Sequence, residues 1–428
     1  MMDFIADFHI HSHYSRATSK EMNLVSLYKW GQIKGIQVIG TGDFTHPAWF
    51  KEIREKLEEA EPGLFKLKPE LEAEMVKEVP PSCRSIMRFL LTVEISCIYS
   101  KNGKVRKVHM ILAAPSFSAA AKINETLSKV GNLMADGRPI LGLDAKELVK
   151  IALEASPDCM IIPAHAWTPH FGVLGHSSGF NSLEECFEEF TPNITAIETG
   201  LSSDPAMNWR LSQLDNVTLV SNSDAHSPGK LGREANRFHC ELSYFEILDA
   251  LKKGDPKRFI ETVEFYPEEG KYHLDGHMNC NVSLTPEETK KLDGICPKCG
   301  KKIIIGVMNR VETLADRKIG DRPNKIPFRH LVPLSEILAD VLETSTSSKK
   351  VMLQYMELIG KVGNEFYILL DAPLDAIQKA SSPLIAEAVQ RVRTGKIHIE
   401  PGYDGKFGVI KIFADGKRPQ LQDQMPLF

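Results

Sequence analysis

Phe4-Ile5-Ala6-Asp7-Phe8-His9-Ile10-His11 starts as an apolar run and ends in an acid and two imidazoles at alternate positions. The same arrangement returns along the first 230 or so residues. Apolar or β-branched runs occur at Phe4–Asp7, Ile36–Gly40, Phe89–Val93, Val108–Ala113, Cys159–Ile162, Ile194–Ile197 and Val217–Val220. Each reads as a buried parallel strand. Between them lie segments with helical spacing, such as Met22–Lys34 and Asp144–Ala155, so the pattern predicts repeated βα units closing into a barrel or wound sheet. Lys51–Val79, dense in Glu and Lys, reads as a solvated surface helix pair.

The polar residues fall where chemistry is built in such folds, at the carboxyl ends of the strands. In order they are Asp7-x-His9-x-His11, Asp43 with His46, Glu94, His109, His165 and Asp224-x-His226. One histidine there is ordinarily structural. The whole series is different, because burying so many titratable groups without a metal or partner costs several kcal/mol each. Imidazole with carboxylate suits Zn, Mn or Fe, and an all-oxygen set would have suggested Mg alone. Closely spaced divalent ions activate water and clamp phosphoryl oxygens, so the expected chemistry is phosphate-ester hydrolysis. No serine elbow or Cys-His pair asks for a covalent intermediate.

The 428 residues exceed one ordinary domain, which predicts a large catalytic unit with smaller modules. No basic head with a long apolar core marks export, and no run reaches membrane-spanning length. Five of the eight cysteines are scattered singly, which argues against a disulfide framework and for a reducing, cytoplasmic setting. A net charge of -4 does not advertise nucleic-acid binding, which must therefore rest on local charge.

The ordered ligand series over about the first 260 residues resembles the PHP (polymerase and histidinol phosphatase) family. That resemblance implies a distorted seven-stranded, TIM-like βα barrel with a site for two or three divalent ions, Zn, Mn or Mg. It implies a first metal on His9, His11, Glu94 and Asp224, with Glu94 bridging, and a second completed by His109 and His165. The third would draw on His226 and either Asp43 or His46, since the family's Asp-His is here Asp43-Phe44-Thr45-His46. Glu94, Asp224 and Arg233 are the catalytic candidates. Arg16, Lys230 and Arg233 are candidates for phosphate oxygens, and Trp167 either stacks on a nucleobase or closes the barrel.

Beyond residue 265 the sequence changes character. His277-x-x-Cys280 followed by Cys296-Pro297-Lys298-Cys299-Gly300 has the spacing of a structural zinc site, with His273 a rival to His277. From Cys296 to His330, nine Lys or Arg face three Asp or Glu, a local footprint for DNA. Leu334–Leu342, Lys350–Val362 and Pro383–Thr394 read as helices, and Pro401–Gly405 as a turn between two short strands. Barrel, knuckle, the run Ser223-Asp224-Ala225-His226, Gly232-Arg233-Glu234 and the Pro401–Gly405 turn together resemble the endonuclease Q family. That implies nicking of DNA 5′ to deaminated bases such as hypoxanthine, uracil and xanthine, or to abasic sites. The expected layout is a barrel at 1–265, a zinc module at 266–330, a helical DNA-binding module at 331–395, and a hairpin with tail at 396–428. Gln424, Leu427 and Phe428 in that tail resemble a sliding-clamp peptide. The alternative reading is a PHP phosphatase for a small phosphomonoester.

Overall fold

Hydrogen bonding outward from the first strand sets the architecture, described by a computed structural model over residues 1–321 and 326–413. Met2–Asp7 lies inside the largest sheet, parallel to Val38–Gly40 and antiparallel to Ala235–Cys240. Val38–Gly40 in turn runs parallel to Arg88–Lys101. Both faces of these strands are covered, which is why the sequence offers continuous apolar runs there. The crossover between the first two strands is the helix Leu24–Lys34. Asn23 caps it by accepting from the Ser26 N–H, and Gly35 ends it at a φ of 87°.

Two of the expected parallel strands are instead arms of one antiparallel hairpin. Arg88–Lys101 and Lys104–Ala114 pair along their length, with Lys101 opposite Lys104. Asn102 and Gly103 turn the corner at φ of 54° and 71°, the left-handed pair that Asn-Gly supplies at least cost. Lys104–Ala114 then pairs antiparallel with Met160–Pro163. Ala196–Glu198 and Thr218–Val220 form a separate parallel pair. The Thr195 N–H reaches the Ile161 carbonyl at 3.0 Å, and a parallel bridge joins Ile10 to Ala225, so the series returns to the first strand.

The fold is therefore mixed α/β, with eleven strands in its largest sheet among the described residues. Ala235–Cys240, Phe259–Glu264 and Phe328–His330 enlarge the sheet beyond the seven expected runs. Lys51–Val79 is not a plain helix pair. The helices Pro47–Lys56 and Pro69–Met75 flank a small hairpin, Leu57–Glu59 with Phe65–Leu67, that buries Leu57, Phe65 and Leu67 and joins the large sheet through Phe65. Three apolar side chains among many charges are enough to seat it.

After the sheet, Asp275–His277 and Val282–Leu284 form a two-stranded unit around a small buried cluster of Val282, Cys296 and Ile303. The helices Leu334–Leu342, Lys349–Lys361, Glu365–Leu370, Leu374–Ala380 and Pro383–Arg393 follow, then His398–Glu400 paired with Val409–Lys411. Glu365–Leu370 and Leu374–Ala380, six and seven residues long, are too short to show a helical period in sequence. These helices meet the front of the chain through a buried ion pair. Lys34 Nζ lies 2.7 Å from Glu365 Oε2, with the two side chains 4% and 5% exposed. The Tyr355 hydroxyl and the Leu334 N–H also donate to that carboxylate. Among the described residues no helix is long and apolar enough to cross a membrane. Gln424, Leu427 and Phe428 lie outside the described residues.

Candidate metal centre

The first strand ends by delivering His9 and His11, and the long hairpin delivers Glu94 on one arm and His109 on the other. The Glu94 carboxylate is shared between two groups. His11 Nε2 lies 3.2 Å and His9 Nε2 3.5 Å from its Oε2. Asp224 Oδ1 completes that group, 3.1 Å from His11 Nε2 and 3.7 Å from His9 Nε2. On the other side, Oε1 lies 2.6 Å from His109 Nδ1 and 2.9 Å from His165 Nε2. Within each group, the ligand atoms all lie within 4.8 Å of one another.

The donor set fits divalent cations on its own geometry. His9 Nε2, His11 Nε2 and Asp224 Oδ1 are buried and make no hydrogen bond, though all three point at a common centre. Buried polar atoms are rarely left so. Burial alone would raise the Glu94 pKa, yet the facing His109 and His9 rings hold it well below the usual carboxylate range. Conversely, burial opposes a charge on His9, while Glu198 and Glu94 raise its pKa well above the ordinary value. A cation binding here would displace protons from these imidazoles, so its affinity rises with pH.

The outer shell explains how the ligands are aimed. His9 Nδ1 lies 3.1 Å from both oxygens of Glu198, which also accepts from the Asn222 side chain and the His165 N–H. His11 Nδ1 lies 3.2 Å from Asp43 Oδ1. Such carboxylates fix the ring orientation of a metal-bound histidine and raise its basicity. Asp43, His165 and Asp224 all sit at positive φ, 52°, 30° and 46°, an uncommon backbone state that clusters at functional sites. Beneath, Asp7 accepts from the Ser223 and Gly232 N–H groups and anchors the loop that carries Asp224.

Comparison with known proteins adds to this geometry. Residues 333–396 match the MJ0043 C-terminal domain family. The chain is 35% identical over 239 residues to the uncharacterized protein MJ0043 of Methanocaldococcus jannaschii, which is 54% of this chain and 30% of that protein. The match thus spans less than a third of that relative's length. It is 28% identical over 309 residues to the uncharacterized protein YqxK of Bacillus subtilis, 71% of this chain and 74% of that one. Among solved structures, the lesion-specific endonuclease PfuEndoQ of Pyrococcus furiosus superposes with a TM-score of 0.82 at 33% identity, over 96% of both chains. Endonuclease Q in complex with a 27-mer duplex carrying an abasic lesion also gives 0.82, at 31% identity over 98% of this chain and 99% of that one. This chain belongs to the endonuclease Q family.

Several expected site residues take other places in this chain. Asp43 does not face the shared centre. Its Oδ2 accepts from the Ser12 N–H and hydroxyl and from the Ser15 hydroxyl, so both oxygens are engaged, Oδ1 with His11 and Oδ2 with the two serines. His46 stacks on Tyr14 with ring centroids 4.3 Å apart. His226 packs against the His11 ring and holds the Asp224 carbonyl through Nδ1. Among the described residues, no third cluster gathers Asp43, His46 and His226. Trp167 is 1% exposed and donates through Nε1 to Asn208, so it is packed in the core and offers no face to a base. Arg233 donates to the Ser223 and Asp224 carbonyls, which makes it a positioning residue for that loop. Lys230 is paired with Glu336.

Two residues that touch the site escape the sequence reading. Glu198 follows the Ile194–Ile197 run just as the other ligands follow theirs, a signal that was available. Arg138, whose Nη1 lies 3.1 Å from Glu94 Oε2, carries no such signal.

The second cluster joins His277, Cys280, Cys296 and Cys299, again with ligand atoms within 4.8 Å of one another. His273 is not among them; it is buried elsewhere, on the wall of a cavity beside His170 and Phe171. The basic stretch is partly structural. Arg310 donates to the Leu174 and Phe180 carbonyls, Arg317 pairs with Asp215, and Arg329 with Glu261. Lys298, Lys301, Lys302 and Lys318 remain on the surface.

Proposed function

We propose that this chain is a metal-dependent DNA-repair endonuclease that hydrolyses the phosphodiester 5′ to deaminated bases (hypoxanthine, uracil or xanthine) or abasic sites. The observation that carries the reading is Glu94, which presents one carboxylate oxygen to each of two histidine-rich groups at the mouth of the sheet. Divalent ions held there would lower the pKa of a bound water and clamp the phosphate. His9, His11, Glu94 and Asp224 would hold one ion, and Glu94, His109 and His165 the other. Glu198 and Asp43 keep the imidazoles aimed, and Arg233 keeps Asp224 in place. The knuckle residues His277, Cys280, Cys296 and Cys299 would hold one structural zinc.

A lesion reader needs somewhere to put the extruded residue. A cavity of about 330 Å³ lies beside the second histidine group, lined by Thr168, His170, Phe171, Tyr272, His273 and Val307. Phe171 forms its wall and also stacks on His109, at 4.5 Å between centroids. A base turned into this cavity would bring its own phosphate to the metal ligands. The cavity lies between the sheet and the segment that carries the knuckle, which gives the added module a purpose that a small phosphomonoester would not need.

Labelled duplexes with uracil, hypoxanthine, xanthine or an abasic site, alongside undamaged DNA and p-nitrophenyl phosphate, test the assignment. Metal-dependent cuts 5′ to the lesions, abolished by Asp224→Ala, are expected. Faster turnover of the monoester than of any duplex would replace the reading with a phosphatase.

A further inference from the structure

Arg138 lies on the segment between the helix Phe117–Ser128 and the two-residue strand Ile140–Leu141. That segment is tied down on every side. The Gly137 N–H donates to the Tyr14 carbonyl at 3.0 Å, and the Ser96 N–H to the Pro139 carbonyl at 3.0 Å. Asp136 Oδ1 accepts from the Arg16 and Arg138 N–H groups at 3.3 and 3.1 Å. Gly137 presses so closely on the site that a Cβ would stand 2.3 Å from Asp43 Oδ2 and 2.5 Å from Ser15 Oγ. Only glycine fits there, and the loop therefore delivers the next side chain directly over the centre.

The guanidinium reaches Glu94 Oε2 at 3.1 Å, with the side chain 30% exposed at the mouth. Among the described residues no other group accepts from it. A guanidinium has five donors in a fixed fork, so most of its capacity is unspent. Holding Glu94 does not require it, since four imidazoles already face that carboxylate. With divalent ions bound, the Glu94 charge would be spent on them, and the unspent donors of the guanidinium would call for a further anion. The anion that the reaction brings is the phosphate. The rival cations are placed otherwise: Arg16 is 86% exposed and points to Asp136, Lys230 is paired with Glu336, and Arg233 holds backbone carbonyls.

Building on the endonuclease reading above, we propose that Arg138 is a catalytic residue that grips the non-bridging oxygens of the scissile phosphate and stabilises the charge that builds on them. Guanidinium and phosphate match as a planar fork and two acceptors, and such clamps act most strongly in the transition state.

The test compares Arg138→Ala and Arg138→Lys with the wild type on a lesion duplex, with metal content by elemental analysis and DNA affinity by anisotropy. Arg138→Ala should lose roughly 100- to 1000-fold in kcat, the range for removing one such donor. Metal content should stay equal, and DNA affinity within about threefold. Added guanidinium salt should restore part of the Arg138→Ala rate and none of the Asp224→Ala rate. Arg138→Lys should fall between, because a point charge lacks the fork. A rate within threefold of wild type, or a loss that guanidinium cannot restore together with depleted metal, would overturn the assignment in favour of a structural counter-ion. If the wild type cuts no lesion duplex, the endonuclease reading itself fails, an outcome separate from either of these.

Discussion

The two clusters of metal-ligating side chains are held in place by opposite means. Around Glu94, the ligands arrive from His9 to Asp224, more than 200 positions apart, on strands backed by an extensive buried core. Around Cys296, all four ligands fall within residues 277–299 and rest on three buried side chains, Val282, Cys296 and Ile303. The first set is arranged by the fold itself. The second has almost no core of its own, so an ion bound there would supply the organisation.

The sharpest way to break that contrast is Glu94→Gln. Losing the shared carboxylate should cut strand scission by at least about 10³-fold, yet leave the melting temperature within a few degrees, because the sheet does not depend on the ions. A collapse of the fold would show that the two clusters are alike. Next in size, Cys299→Ser should remove hydrogen-exchange protection from residues 275–304 and leave protection of the Met2–Asp7 strand unchanged. If the module contributes to gripping DNA, duplex affinity should fall by about 10- to 100-fold, as when several phosphate contacts are lost.

A third test concerns the buried acids below the metal site. Burial raises the Glu264 pKa from 4.5 to about 7, with the charge of Asp204 adding and hydrogen bonds from Thr262 and Thr199, together with His330, opposing. Between those values the folded protein keeps a proton that the unfolded chain has lost, so stability falls as pH rises from 4.5 to about 7 and the deficit is complete above that. Glu264→Gln should match wild type near pH 5 and exceed it at pH 8 by on the order of 3 kcal/mol, read by denaturant midpoints. Wild-type stability that is flat across this range would sink the idea. The smallest effect is expected at the hairpin tip, where Gly103 has a φ of 71° and an added Cβ would meet nothing within 4 Å. Gly103→Ala should cost about 1 kcal/mol through backbone strain alone, with scission unaffected.

The chemistry was more legible than the geometry. His9, His11, Glu94, His109, His165 and Asp224 could be picked out because imidazoles and carboxylates at strand ends are costly unless used, and the structure gathers those six. The knuckle was legible because its spacing is itself the geometry. Strand direction was not, since a buried run of apolar residues looks alike in either sense, and only Asn102-Gly103 marks the hairpin. The role of Asp43 was hidden for a related reason. Its residue type suits a ligand, but whether a carboxylate touches the ion or a histidine behind it depends on a few ångströms that no motif encodes. Arg138 lies in a loop where nothing repeats, and it acquires meaning only from Gly137 beneath it.

The ion pair of Lys34 with Glu365 limits how this molecule can be changed. Glu365→Ala in the full chain would leave Lys34 enclosed by the last helices without the carboxylate that neutralises it. An ammonium stranded in that way typically costs about 3–5 kcal/mol, a large fraction of what a domain has to spare. The single change should therefore lower the yield of folded protein, and adding Lys34→Met should recover part of it. Evolution of the two segments is tied at the same point: neither charge can be lost first without harm, so the front and back of the chain change together or not at all.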